Sequence, residues 1–89
     1  MSDQAAVTVT VRYFAGARAA AGVADEPVVL SGRPTVADVV AAVRRRHDPA
    51  LGRVLDASSF LLDGMAVRDR TVVVPAGALV DVLPPFAGG

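Results

Sequence analysis

Pro34-Thr-Val-Ala-Asp-Val-Val-Ala-Ala-Val-Arg-Arg-Arg-His47 holds a helix start, an apolar stripe and a helix stop in one run. Thr35 is an N-cap residue with Asp38 three positions on, the spacing of a capping box, and Pro34 precedes it. Val36, Val39, Val40 and Val43 recur at spacings of three and four, which lays one aliphatic stripe along the helix and calls for a sheet to receive it. Arg44, Arg45 and Arg46 complement the negative end of the helix before Asp48-Pro49 closes it. The pattern predicts one main helix from Thr35 to about His47. Successive helical residues point about 100° apart, so three arginines in a row do not make a patch for nucleic acid.

Strand patterns flank this helix on both sides. Val7-Thr-Val-Thr-Val-Arg-Tyr13 alternates with period two, placing Val7, Val9, Val11 and Tyr13 on a core face and Thr8, Thr10, Arg12 and Phe14 on the other. Ala15 to Asp25 is rich in alanine and glycine and reads as a loop with one helical turn, and Glu26 to Leu30 reads as a second strand with Pro27 at its start or on an edge. After the helix, a polar loop leads to a strand at Ser59 to Leu62, a hairpin turn at Asp63-Gly64 and a return over Ala66 to Arg68. Thr71 to Val74 extends or follows that return, and Pro75-Ala-Gly77 is a turn. Leu79 to Leu83 is the last strand, with Val80 and Val82 on one face and Leu79, Asp81 and Leu83 on the other.

The predicted order is ββαβββ. One helix across a mixed sheet makes a two-layer α+β domain, and at this size the ubiquitin-like β-grasp is the arrangement to expect. That fold would set the first and last strands side by side and parallel in the middle of the sheet. The expected division is a disordered leader at 1–6, the domain at 7–83 and an extended C-terminal tail at 84–89.

Composition narrows the function. Eighty-nine residues make one small domain, and with no cysteine there is neither a disulfide nor a thiolate metal site. Nine arginines balance nine acidic residues, so no net field favours nucleic acid or an anionic membrane, and lysine is missing altogether. No run approaches the roughly 20 apolar residues of a membrane helix, and the first residues lack the pattern of a signal peptide. A cytoplasmic address is expected, with no metal and no bound cofactor.

The internal candidates for catalysis have ordinary explanations. His47, the only histidine, falls at the end of the helix, where a capping or surface role outweighs chemistry. Ser58-Ser59 has no nearby histidine and no glycine elbow. Asp63 and Asp69 suit turns better than a paired acid and base, and Gly16 and Gly22 form no phosphate loop with a lysine. Arg12 and Arg18 read as solvating residues ahead of the other use open to them, steering an acidic partner surface.

The end of the chain is different. Leu83-Pro-Pro-Phe-Ala-Gly-Gly89 leaves a core strand through two prolines that fix φ and stiffen the stem, and it finishes on Gly88 and Gly89. A tip without side chains suits insertion into a narrow pocket, where backbone approaches closely. Its carboxylate, with an ordinary pKa near 3.5, is ionised at neutral pH and a poor electrophile, so a partner must activate it. Adenylation with ATP followed by sulfide or a persulfide gives a thiocarboxylate, and an amine gives an amide.

These residues carry a resemblance. The ending at 83–89, with Phe14-Ala-x-x-Arg18-x-x-x-Gly22, Pro34-Thr-Val36 and the Asp63-Gly64 turn, is similar to the MoaD/ThiS sulfur-carrier family over nearly the whole domain, from about Val7 to Gly89. The resemblance implies that Gly89, presented beside Gly88, is adenylated by an E1-like adenylyltransferase/sulfurtransferase using ATP and becomes a thiocarboxylate. In the molybdopterin branch it would then enter the large subunit of molybdopterin synthase, in a heterotetramer, and pass sulfur to cyclic pyranopterin monophosphate. By the same resemblance Phe86, Pro85 and Pro84 anchor the tail, and the sheet face near Leu79, Leu83 and Phe14 contributes to the interface. Two other uses of such a tail stay open: sulfur supply to thiamine, cysteine or another thio-metabolite, and ubiquitin-like tagging of target lysines. Without lysine of its own, the chain cannot build polymers of itself through side-chain isopeptide bonds.

Overall fold

In the computed structural model, which describes residues 5–85, Thr35 caps its helix as the sequence requires. Its Oγ1 accepts from the Asp38 N–H at 3.2 Å, while Asp38 Oδ2 accepts from the Thr35 N–H at 2.8 Å. The helix that follows, α2 (Val36–Arg46), buries Val36, Val39, Val40 and Val43, the stripe read from the sequence. Before it come β1 (Ala6–Tyr13), α1 (Ala15–Ala21) and β2 (Asp25–Ser31). After it come α3 (Pro49–Ala57), β3 (Ser59–Leu62), β4 (Met65–Ala66) and β5 (Leu79–Leu83).

The five strands form one mixed sheet in the order β2-β1-β5-β3-β4. β1 pairs antiparallel with β2 and parallel with β5, and β5 pairs antiparallel with β3. The last strand therefore occupies the middle, beside the first, in the ubiquitin-like β-grasp arrangement. Val9, Val11, Val28, Phe60, Val80 and Val82 meet the α2 valines and Leu51 and Leu55 of α3 in one core. The Asp63-Gly64 turn takes φ of 48° and 85°, the left-handed pair that a two-residue hairpin demands.

Four sequence readings need correction. Ala15–Ala21 is a full short helix rather than a loop with one turn: alanine has the highest helix propensity, and the Gly22 N–H caps the end on the Arg18 carbonyl. The polar loop expected after Asp48-Pro49 is α3, because Asp48 is an N-cap and Pro49 a first-turn proline, a start as much as a stop. The hairpin return is shorter than Ala66–Arg68: β4 is Met65–Ala66, and beyond it the Val67 N–H adds one bond to the Phe60 carbonyl at 3.0 Å. Thr71–Val74 adds no strand to the sheet and instead crosses the start of α2, where Val73 bridges Thr35 and Val74 N–H donates to the Pro34 carbonyl at 2.9 Å. The leader expected at 1–6 falls largely outside the described residues, although Ala6 already belongs to β1.

Candidate functional site at the root of the tail

β5 delivers the chain to the edge of the domain from the centre of the sheet. Leu83 is half-buried, Pro84 is buried and Pro85 is exposed. The two prolines share a groove of about 400 Å³ with Gly16 of α1 and Ala50, Arg53, Val54 and Ala57 of α3. Phe86, Gly88 and Gly89, the remaining residues assigned to the tail, lie outside the described residues.

The sheet face away from the helices carries the other predicted contact residues. Leu79, Asp81 and Leu83 alternate along β5 with buried Val80 and Val82, and Leu79 and Leu83 are half-buried there. Asp81 is buried as well, because Arg12, its neighbour on the parallel strand, closes over it with Nε–Oδ1 2.6 Å and Nη2–Oδ2 2.9 Å. That bidentate bond, reinforced by the aspartate's charge, holds the guanidinium pKa above its ordinary value. The guanidinium carbon lies 5.8 Å from the centre of the Phe14 ring. Phe14 itself follows β1 as the N-cap of α1 and is 41% exposed. Phe14, Leu79 and Leu83 thus stand on one surface around a fixed ion pair, next to the groove where the tail begins. Arg18 is exposed on α1.

His47 belongs to a separate cluster. Its Nε2 lies 2.5 Å from Glu26 Oε2, which also accepts from the Tyr13 hydroxyl at 2.5 Å, while Arg46 donates to Oε1 at 3.0 Å. Burial pushes the Glu26 carboxyl up, and the hydrogen bonds from Tyr13, His47 and Arg46 more than reverse it, leaving the carboxyl below its usual range. Burial and the bond to Glu26 raise the Tyr13 phenol well above its ordinary value. The cluster ties β1, β2 and the end of α2 together, which is a structural role for the histidine. Ser58 donates to the Val54 carbonyl at 2.6 Å and is buried, and Asp69 accepts from Thr71 in a turn. Among the described residues no group of three His, Asp or Glu side chains is placed to hold a metal, and no helix is long and apolar enough to cross a membrane.

Sequence reasoning missed α3, which supplies one wall of the tail groove, and the Arg12–Asp81 pair. Leu51 and Leu55, four residues apart and both fully buried, carried the signal for the first.

A family model described as ThiS matches residues 11–89. The chain belongs to the ThiS family. SAMP1 from Haloferax volcanii is similar at 29% identity and a TM-score of 0.82, covering 92% of this chain and 99% of that one. The protein described as molybdopterin converting factor subunit 1 from Pyrococcus furiosus is similar at 27% identity and a TM-score of 0.80, covering 90% and 99%. A chain in the complex of subunits 1 and 2 of molybdopterin-converting factor from Helicobacter pylori aligns at 18% identity and a TM-score of 0.66, over 93% and 100%, a likeness of fold alone. A search of the curated proteins found no match. This ThiS-family chain is a ubiquitin-like protein of the MoaD/ThiS type, with the tail root set beside an aliphatic sheet face.

Proposed function

We propose that this chain is a sulfur carrier, the small subunit of a molybdopterin synthase, loaded as a thiocarboxylate on Gly89. The observation that supports this most is the placement of β5: the central strand runs straight into buried Pro84, exposed Pro85 and then Phe86-Ala-Gly-Gly89. A stem fixed to the middle of the sheet and stiffened at Pro84 and Pro85 has little entropy of its own to lose on docking. In the first step the Gly89 carboxylate attacks the α-phosphate of ATP, forming an acyl-adenylate and releasing pyrophosphate. Sulfide, or a persulfide whose S–S bond is then reduced by a thiol, displaces AMP and leaves the thiocarboxylate. The chain supplies the carried group, and the E1-like partner supplies the ATP site. Phe14, Leu79 and Leu83 would meet the partner's surface, with Pro84, Pro85 and Phe86 guiding the tail inward. The likeness to the Pyrococcus furiosus subunit 1 and the fold shared with the Helicobacter pylori complex favour a large synthase subunit as the second partner.

The similarity to SAMP1, a small archaeal modifier protein, favours one second reading, in which the activated glycine is joined to lysines of other proteins. Intact-mass analysis after incubation with the activating enzyme, ATP and a sulfur donor separates the two. A gain equal to the difference between sulfur and oxygen supports carriage, and adducts on lysines of other proteins support tagging. An unchanged mass, or full activity in a chain lacking Gly89, overturns both.

A further inference from the structure

β2 is an outer strand of the sheet, and the phase of its pairing fixes which of its backbone groups face outward. The Tyr13 N–H donates to the Ala24 carbonyl at 2.8 Å, and the register sets Val11 opposite Glu26, Val9 opposite Val28 and Val7 opposite Leu30. Glu26, Val28 and Leu30 therefore bond to β1, while Asp25, Pro27, Val29 and Ser31 turn their polar groups away from it. Pro27 has no N–H to offer, and its carbonyl is taken by Arg46 Nη1 at 2.8 Å. At the other end the strand stops at Gly32, which turns in the left-handed region at φ 76°. Among the described residues, the stretch between Pro27 and Gly32 leaves one short window open, the N–H and C=O of Val29 and Ser31.

A helix face overhangs this window. Asp38, Ala41, Ala42 and Arg45 lie at i, i+3, i+4 and i+7 on α2 and form a groove with Val29, Leu30 and Ser31. Among the described residues Arg45 has no ion-pair partner, and Asp38 uses Oδ2 for its cap, leaving Oδ1. The face is small in the middle and opposite in charge at its two ends.

We infer that the open window of β2 and this face of α2 together receive a second copy of the same chain about a two-fold axis at Leu30. Antiparallel pairing centred there sets Val29 of one copy against Ser31 of the other, twice, and satisfies all four open polar groups with four hydrogen bonds. Leu30 meets its counterpart as a non-hydrogen-bonded pair, the kind that brings side chains closest. The two α2 helices then run antiparallel across the axis, each Asp38 facing the other copy's Arg45 over alanines that permit close approach. The next rung would oppose Pro27 to Arg33, where the missing donor and the Arg46 bond end the ladder. Val29, 63% exposed in the single chain, is partly covered by the partner strand. The contact is isologous and closes on two copies, so the edge is used without seeding a fibre. Pro84, at the root of the tail, follows the central strand β5 and takes no part.

Sedimentation velocity of the full chain from about 10 μM to about 1 mM, a range matched to a small and partly screened interface, tests this. A monomer–dimer equilibrium is expected, with the amide protons of Val29 and Ser31 gaining exchange protection at high concentration. Val29→Pro removes one outward N–H and no bond to β1, and Arg45→Glu sets two like charges together at each end of the helix pair. Each is expected to weaken the dimer at least tenfold, and Arg45→Glu leaves the backbone untouched should the proline variant fold poorly. A chain that stays monomeric at about 1 mM overturns the inference. So does a dimer that both variants leave intact, or one whose protection maps to Leu79 and Leu83.

Discussion

Arg12 and Asp81 meet side by side on the two parallel strands at the centre of the sheet, two hydrogen bonds joining residues 69 positions apart in the chain. The aspartate side chain is 6% exposed, whereas the arginine's is 43% exposed. Their losses are therefore unequal: without Arg12 a carboxylate stays buried with no partner, and without Asp81 the arginine turns to water.

Arg12→Met is expected to lower Tm by several degrees. Arg12→Met with Asp81→Leu should recover most of that loss, because a buried pair replaced by apolar residues of similar size removes the desolvation cost along with the attraction. Thermal unfolding of the two singles and the double checks it. A double variant less stable than Arg12→Met would mean the pair contributes more than its burial costs.

Glu26 gives the fold a pH dependence with a definite sign. Its carboxyl titrates below the ordinary value in the folded chain, so the unfolded chain takes up the proton first as pH falls. The stabilisation is present above the unfolded value, near 4.3, and is lost as pH drops through the folded one. Tm measured between pH 7 and pH 3 should fall less steeply in Glu26→Gln than in the parent. Equal slopes would remove the cluster from the account.

Leu55→Ala tests α3 as part of the core. Leu55 has no exposed surface, and truncating a leucine at such a site costs about 2–5 kcal/mol. Denaturant unfolding is expected to show a lower midpoint with an unchanged slope.

Phe14→Ala tests the docking surface. Phe14 is 41% exposed and stands at the N-cap of α1 with no side-chain cap bond, so Tm should change little. Capture by a large synthase subunit is expected to weaken about tenfold, about 1.4 kcal/mol, as measured by titration calorimetry. An unchanged affinity would move the contact off this face.

The parts of the fold legible in the sequence were those whose signal is local. α2 announces itself through Thr35, Asp38 and its valine stripe, and β1 through strict alternation. α3 was hidden because Asp48-Pro49 ends one helix and begins the next, and a stop signal and a start signal share the same letters there. α1 was hidden because Ala-Gly-Ala-Arg-Ala-Ala-Ala offers no apolar contrast to give a period. The faces of β5 were read correctly, yet Asp81 was placed on an outer face with no sign that it is covered. Its cover comes from a strand at the other end of the chain, and no window of sequence spans both. The groove wall at Arg53 and Val54 went unseen for the same reason that α3 did.

The position of β5 also sets the order in which the molecule can be made. A chain emerging from the ribosome presents β1 and β2 early, but the strand that belongs between β1 and β3 is synthesised after both. Until Leu83 is released, β1 and β3 have a gap between them, and Val9, Val11 and Phe60 have no Val80 or Val82 to close on. Completion of the sheet therefore waits on the last strand and closes a long loop between β1 and β5, the kind of distant pairing that slows folding.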